Sequence, residues 1–240
     1  MRVRRPAPTG EGTVDHSELA LILSKLKTHG VRGLADDREL IGAYRSGLEK
    51  VIPYELSRGE ALAFWLNLYN AGALDIAAEA FVRAETTVLR VPGAFSRTWA
   101  TVAGEDLSLE DIEHGKIRRF KDPRIHGALV CGSASCPTLR YEPYQGDQVG
   151  AQLDSQMRSF LAGGGAAYDA DARRLLLSRI FMWYGADFVR PHRMPTWIPA
   201  SKRSIGMAVA EWLAPQLREQ AAGAGIAYQS YDWGLACSIG

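Results

Sequence analysis

Apolar positions along the chain follow more than one rhythm. Over residues 15–27 and again over 37–51 they recur at the spacing of one helix face, and Gly30 and Gly33 separate the two runs. A third run, "ALAFWLNLYNAGALDIAAEAFV", is apolar nearly all round, so the helix it predicts over about residues 59–82 belongs at the centre of the fold. Ser57, three residues before Glu60, supplies a capping box at its start. Asn67, Asn70, Asp75 and Glu79 interrupt the run and mark it as buried helix rather than membrane span. At about 100° per residue Asn67 and Asn70 share one side. Two amides in so apolar a setting need partners, either the backbone of a neighbouring loop or a bound substrate.

Farther along, "TTVLRVPG" and "RTWATVAGEDLSL" predict short strands with a turn at Pro92 and Gly93. Ser108 and Asp111 then cap a helix, "LEDIEHGKIRRF", whose apolar stripe is Leu109, Ile112, Ile117 and Phe120. Glu113 falls inside that stripe and His114 on its flank, so the Glu113 carboxylate is expected to be partly buried. Lys116 or a nearby arginine is the structural partner for it, and a catalytic role is the other reading. The alternation in "IHGALVC" reads as a strand, followed by a glycine and serine loop that leads to Cys136 and Pro137. Residues 148–160 read as a helix, "GGGAAYDADARRLLLS" as a loop and short strand, and "RIFMWYGADF" as an aromatic-rich segment. An irregular bridge at 195–199, a last helix at 204–218 and a tail ending "YDWGLACSIG" complete the order. No repeat or linker divides it. The expectation is an α+β fold, one mainly helical domain over residues 14–240 with a small β-sheet, preceded by a flexible tail over residues 1–13.

The chain's 240 residues are enough for a sizeable core without disulfide staples. A net charge of +1, with no basic run interleaved with aromatics, argues against a nucleic-acid partner. Met1 to Arg5 is basic, but no apolar run follows to complete a secretory signal, so the expected location is cytoplasmic, with no membrane partner.

Three cysteines, Cys131, Cys136 and Cys237, form no C-x-x-C pair and leave one over, which argues against a disulfide framework. A nucleophilic cysteine needs a lowered thiol pKa, from a helix N-terminus, a neighbouring base or both. Pro137 suits a first helical position, which would put Cys136 at the cap, and residues 132–135 would then form an anion-binding loop. Cys131 ends the predicted strand, with His126 on the opposite face. His114 is free to meet either sulfur across the fold. Buried cysteines are also ordinary core residues. A Cys131–Cys136 disulfide is disfavoured in a reducing compartment. His114, His126, Cys131 and Cys136 have zinc-ligand chemistry, although H-x4-C-x4-C is not a standard spacing.

The blocks "LAFWLNLYNA", "LSLEDIEHGKIR", "DPRIHGALVCGSASCPTLR", "LLLSRIFMWYGADF" and "YDWGL" resemble, in order, those of the domain of unknown function 547 family, over about residues 14–235. On this resemblance Glu113 and His114 match the family's Glu-His pair, His126 its block histidine, and Cys131 and Cys136 its two cysteines. Thr138 stands where a second proline is common, and Gly127 where a bulky apolar residue is common, which would loosen the strand beside His126. The resemblance suggests, by analogy, a papain-like or transglutaminase-like thiol enzyme. The expectation is a thiol-dependent hydrolase or acyl-transfer enzyme acting on a peptide, amide or ester, from a small-molecule or peptide substrate. Cys136 is its nucleophile and Cys131 the alternate, His114 or His126 the base, Glu113 or an asparagine the orienting group, and Asn67 and Asn70 substrate contacts. It calls for no cofactor and no metal. A non-catalytic interaction module with a structural cysteine loop is the rival reading, and a zinc-binding protein the third.

Overall fold

The computed structural model describes residues 10–237 and 239–240. Residues 1–9 of the expected N-terminal tail lie outside them, and Gly12 is already tied down, bridging to Leu56 and donating its amide to the Glu55 carbonyl at 3.3 Å.

The fold is mainly helical α+β. Helix α1 (Ser17–Asp36) breaks at Gly30, where φ is 63° and ψ −161°, and α2 (Arg38–Leu48) follows directly. Helix α3 (Arg58–Val82) is buried almost all round, as its composition requires, with α1, α2 and α4 (Val149–Phe160) against it. Ser57 Oγ accepts the Glu60 amide at 3.2 Å, one half of the expected capping box. The Glu60 carboxylate does not return to Ser57. It accepts the amides of Val14 at 2.9 Å and Gly146 at 3.0 Å, tying two distant segments to the start of α3.

The four polar interruptions of α3 all have partners. Asp75 accepts from Arg38 and from the Trp99 indole at 3.0 Å, while Glu79 binds Arg38 at 3.0 Å and Arg97 at 2.6 Å. Asn67 donates to the Tyr144 carbonyl and accepts the Tyr144 amide, both at 2.9 Å. Asn70 donates to the Ala128 carbonyl and accepts the Val130 amide, both at 3.1 Å. The substrate-holding role expected of these amides is therefore replaced by a loop-fixing one: each side chain grips the backbone of a segment that has no strand partner. Replacing Asn70 with leucine is expected to cost on the order of 1–3 kcal/mol, because a buried carbonyl and amide lose their only partner. Urea denaturation checks this, and a variant as stable as the parent contradicts it.

Several local expectations are corrected. "TTVLRVPG" forms not a strand but a 3₁₀ turn, Val88–Arg90, started by the Thr87 side chain. The following segment does form a hairpin, β1 (Ala100–Val102) antiparallel to β2 (Glu105–Leu107), with φ of 51° at Ala103 and 76° at Gly104. Positive φ at both central residues gives the turn the twist that short hairpins favour. Ser108 and Asp111 cap each other as expected, the Asp111 amide reaching Ser108 Oγ and the Ser108 amide reaching Asp111 Oδ2, both at 3.1 Å. The helix they start is irregular: Asp111–Lys116 is wound as a π-helix and Ile117–Phe120 as a 3₁₀ turn.

The expected strand "IHGALVC" is absent. Asp122 accepts the Arg124 amide at 3.0 Å, Pro123 fixes the first φ, and Pro123–Gly127 winds as a 3₁₀ helix that places His126 on its inner side. Gly127 loosens nothing. A Cβ there would lie 3.0 Å from Met157 Cε and 3.2 Å from its Cα, so the absent side chain lets α4 approach closely.

After α4 come β3 (Ala166–Asp169) and β4 (Arg174–Leu177), an antiparallel hairpin where a loop and one strand were expected. The aromatic-rich segment is α5 (Ile180–Val189). The expected last helix splits into α6 (Lys202–Val209), a 3₁₀ turn and α7 (Pro215–Ala221), Pro215 having no amide with which to continue a helix. Strand β5 (Gly225–Tyr228) adds to β4 in parallel. Two apolar clusters result, one around α1–α3 and one around α5, α6 and the three-stranded sheet; α4 contributes Val149 and Leu153 to the first and Met157 and Phe160 to the second. Among the described residues no helix is long and apolar enough to cross a membrane.

Candidate functional site

A cavity of about 280 Å³ opens between α3, the π-helical turn, the cysteine loop, α5 and the C-terminal tail. It holds Glu113, His114, His126, Cys131 and Cys136 together, which the sequence places in two separate blocks. Asn67 and Asn70 do not line it.

The cysteine loop is held by the tail. The amides of Ala134 and Ser135 donate to the carbonyls of Gly234 (2.9 Å) and Asp232 (3.2 Å), and the Ala236 amide to that of Gly132 (3.0 Å). Gly132 has a φ of 77°, a left-handed conformation that a side chain disfavours. No helix starts at Cys136. Its amide closes a turn onto the Ser133 carbonyl at 3.1 Å, and the next helix is α4, so the helix-terminus activation expected for this thiol is absent.

The two sulfurs are instead each other's neighbours, 2.9 Å apart, both free thiols and both half-buried. Cys136 Sγ accepts the Cys131 amide at 2.8 Å and shares a hydrogen bond with Cys131 Sγ, in which either thiol can donate. Ser133 Oγ lies 3.0 Å from Cys131 Sγ, and the Tyr231 hydroxyl is shared between Ser133 Oγ at 2.9 Å and Cys131 Sγ at 3.4 Å. Donors converging on one sulfur favour its anion. The hydrogen bond from Cys136, helped by Ser133 and Tyr231 and opposed by burial, brings the Cys131 thiol down to about 6. Burial and the adjacent Cys131 push Cys136 well up. Cys237, pushed up to about 12 by burial, stays a packing thiol.

No hydrogen bond joins either sulfur to a histidine among the described residues. His126 Nε2 donates to Asp187 Oδ2 at 3.0 Å, leaving Nδ1 as the acceptor nitrogen, and the ring stacks on Tyr184 with centroids 4.1 Å apart. Burial lowers its pKa and keeps the ring neutral. Asp187 also receives a two-pronged contact from Arg118, Nε to Oδ2 at 2.8 Å and Nη2 to Oδ1 at 3.0 Å, and both side chains are fully buried. Burial opposes its ionisation, but His126 and Arg118 hold the Asp187 carboxyl down to about 2.

Glu113 is buried, as its wheel position requires, at 8 % exposure. Lys116 is not its partner: that ammonium pairs with Glu105 and lies 5.6 Å from the centre of the Trp65 ring. The Tyr69 hydroxyl donates to Glu113 Oε2 at 3.4 Å and the Tyr184 hydroxyl also bears on this carboxylate, while Oε1 has no partner at hydrogen-bond geometry. His114 Nδ1, 3.6 Å from Oε1, is occupied by Arg118 Nη1 at 3.3 Å; a guanidinium only donates, so Nδ1 accepts and the proton of this ring sits on Nε2. Among the described residues, no three His, Cys, Asp or Glu side chains converge as metal ligands.

Three residues escaped the sequence reading: Arg118, Asp187 and Tyr231. Asp187 carried a signal, since Ile180, Trp183, Tyr184 and Asp187 are spaced as one helix face and the first three line the cavity. Tyr231 opens the resembling block "YDWGL", but at one hundred residues from Cys131 nothing in the sequence ties it to that sulfur.

The protein is thus a mainly helical α+β fold with a paired-thiol cavity. The family described as a protein of unknown function, DUF547, matches residues 53–161, so that span of the chain is similar to the family. The matched span holds both cysteines, His114, His126, Glu113 and Arg118, while α5 and the tail lie beyond it. No curated protein and no solved structure matches the chain.

Proposed function

We propose that the protein is a thiol-dependent hydrolase or acyl-transfer enzyme acting on a peptide, amide or ester, with Cys131 rather than Cys136 as its nucleophile. The observation that carries this reading is the convergence of Cys136, Ser133 and Tyr231 on the Cys131 sulfur at the wall of a cavity. A thiolate held there attacks a carbonyl carbon, the C–O or C–N bond breaks, the leaving group takes up a proton, and the acyl group stays on Sγ until water or an acceptor removes it. Asp187 fixes the ring of His126 as the third group of a triad fixes its base, and Nδ1 is the nitrogen left to carry a proton. A substrate seated in the cavity stands between that ring and the sulfur, which no direct hydrogen bond connects.

The test is a p-nitrophenyl acetate assay near neutral pH. The expected result is a burst of about one p-nitrophenolate per chain with an acetyl group on the Cys131 peptide, both lost in Cys131→Ser. No burst, together with cysteines inert to iodoacetamide, instead supports a non-catalytic interaction module.

A further inference from the structure

Two carboxyl side chains stand on the wall of the cavity. Glu110 and Glu113, one helical turn apart, both line it, as does Cys131, and among the described residues no lysine or arginine does. The nearby cations are engaged elsewhere: Lys116 by Glu105, and Arg118 by Asp187. His114 Nδ1 is 3.3 Å from Arg118 Nη1 and 3.6 Å from Glu113 Oε1, the latter beyond hydrogen-bond reach, and burial disfavours the charged form of His126. Glu113 Oε1 is therefore a buried acceptor without a donor, a costly state that a donating occupant relieves. Beside it Trp183, Tyr231 and Trp233 pack as a cluster with centroids 4.5–5.6 Å apart, the kind of π-surface that attracts cations. At about 280 Å³ the space suits one side chain rather than a large ligand.

We infer that the cavity binds an organic cation bearing N–H groups, an alkylammonium or alkylguanidinium such as a lysine or arginine side chain carries, with Glu113 accepting its N–H and the aromatic cluster packing its chain. Taken with the thiol reading, on which this extension rests, the substrate carries that basic group beside the bond to be broken. The binding itself needs no reaction.

Isothermal titration of the full chain with n-butylammonium, n-butylguanidinium and n-butanol tests it. At least one cation is expected to bind about tenfold or more tightly than the alcohol, and the stronger of the two distinguishes a lysine-like from an arginine-like group. Glu113→Gln is expected to remove most of that preference, and Glu110→Gln, at the exposed rim, a smaller part. Equal binding of cation and alcohol, no binding of either cation, or full cation affinity in Glu113→Gln overturns the inference. If Glu113→Gln does not fold, the comparison of cation with alcohol on the parent decides. Repeating the titration on Cys131→Ser separates the two ideas. Cation binding there, with no acyl burst in the parent, leaves the cation site standing and the thiol reading fallen. An acyl burst in a parent that ignores both cations does the reverse.

Discussion

Cys131→Ser is expected to lower the rate of iodoacetamide alkylation near neutral pH by at least about a hundredfold, since the remaining cysteines stay protonated there. In the parent the rate should climb as pH rises through about 6, where the Cys131 thiol ionises. The neighbouring thiol makes the largest contribution to that low value, so Cys136→Ala should move the midpoint up toward the ordinary thiol range, about 8.5. Cys136→Ser keeps a donor in place and should move it less. Peptide mapping checks which sulfur is labelled. Label on Cys136, or a midpoint indifferent to both Cys136 substitutions, would end the assignment of Cys131 as the thiolate.

Asp187→Leu is expected to destabilise the fold by about 3–5 kcal/mol, because Arg118, itself fully buried, is left as an uncompensated charge. Arg118→Met added to Asp187→Leu should recover much of the loss, since neither half of this buried pair then remains. Urea denaturation of both variants reads this directly, and a single variant as stable as the parent contradicts it. The same cluster sets an acid limit. The folded-state pKa of Asp187 is depressed below its usual value of 3.8 to about 2, so its stabilisation is complete above pH 3.8 and is lost as pH falls through 2. His126 acts earlier. Its pKa is lowered from 6.5, so the unfolded chain takes up that proton first, and stability starts to fall once pH drops below 6.5.

Much of the core was legible because the composition of α3 leaves it no exposed face, and Asn67 and Asn70 inside it announced that loops would have to meet it. The misread strand at "IHGALVC" has the same cause seen from the other side. Its alternation is that of a strand, but the Ala128 carbonyl and Val130 amide find Asn70 instead of a neighbouring strand. Pro137 after Cys136 imitates a helix start that no helix follows until Val149. Burial of Glu113 was readable from helical spacing, whereas its missing partner was not, because that depends on Lys116 choosing Glu105 across a hairpin. Proximity of the two sulfurs is a property of the turn at 133–136, and the donors that distinguish them come partly from the far end of the sequence.

That last dependence governs when the site comes into being during synthesis. Both cysteines, His126 and Glu113 leave the ribosome long before Tyr231, Asp232 and Gly234, which supply the shared hydroxyl and grip the cysteine loop. A nascent chain that has reached only β4 carries the thiols without the tail that orders them. Contacts across such a separation form late, after the local helices. The incomplete polypeptide therefore lacks the Tyr231 hydroxyl beside Cys131 and the tail's grip on the cysteine loop, and gains both only as the tail docks.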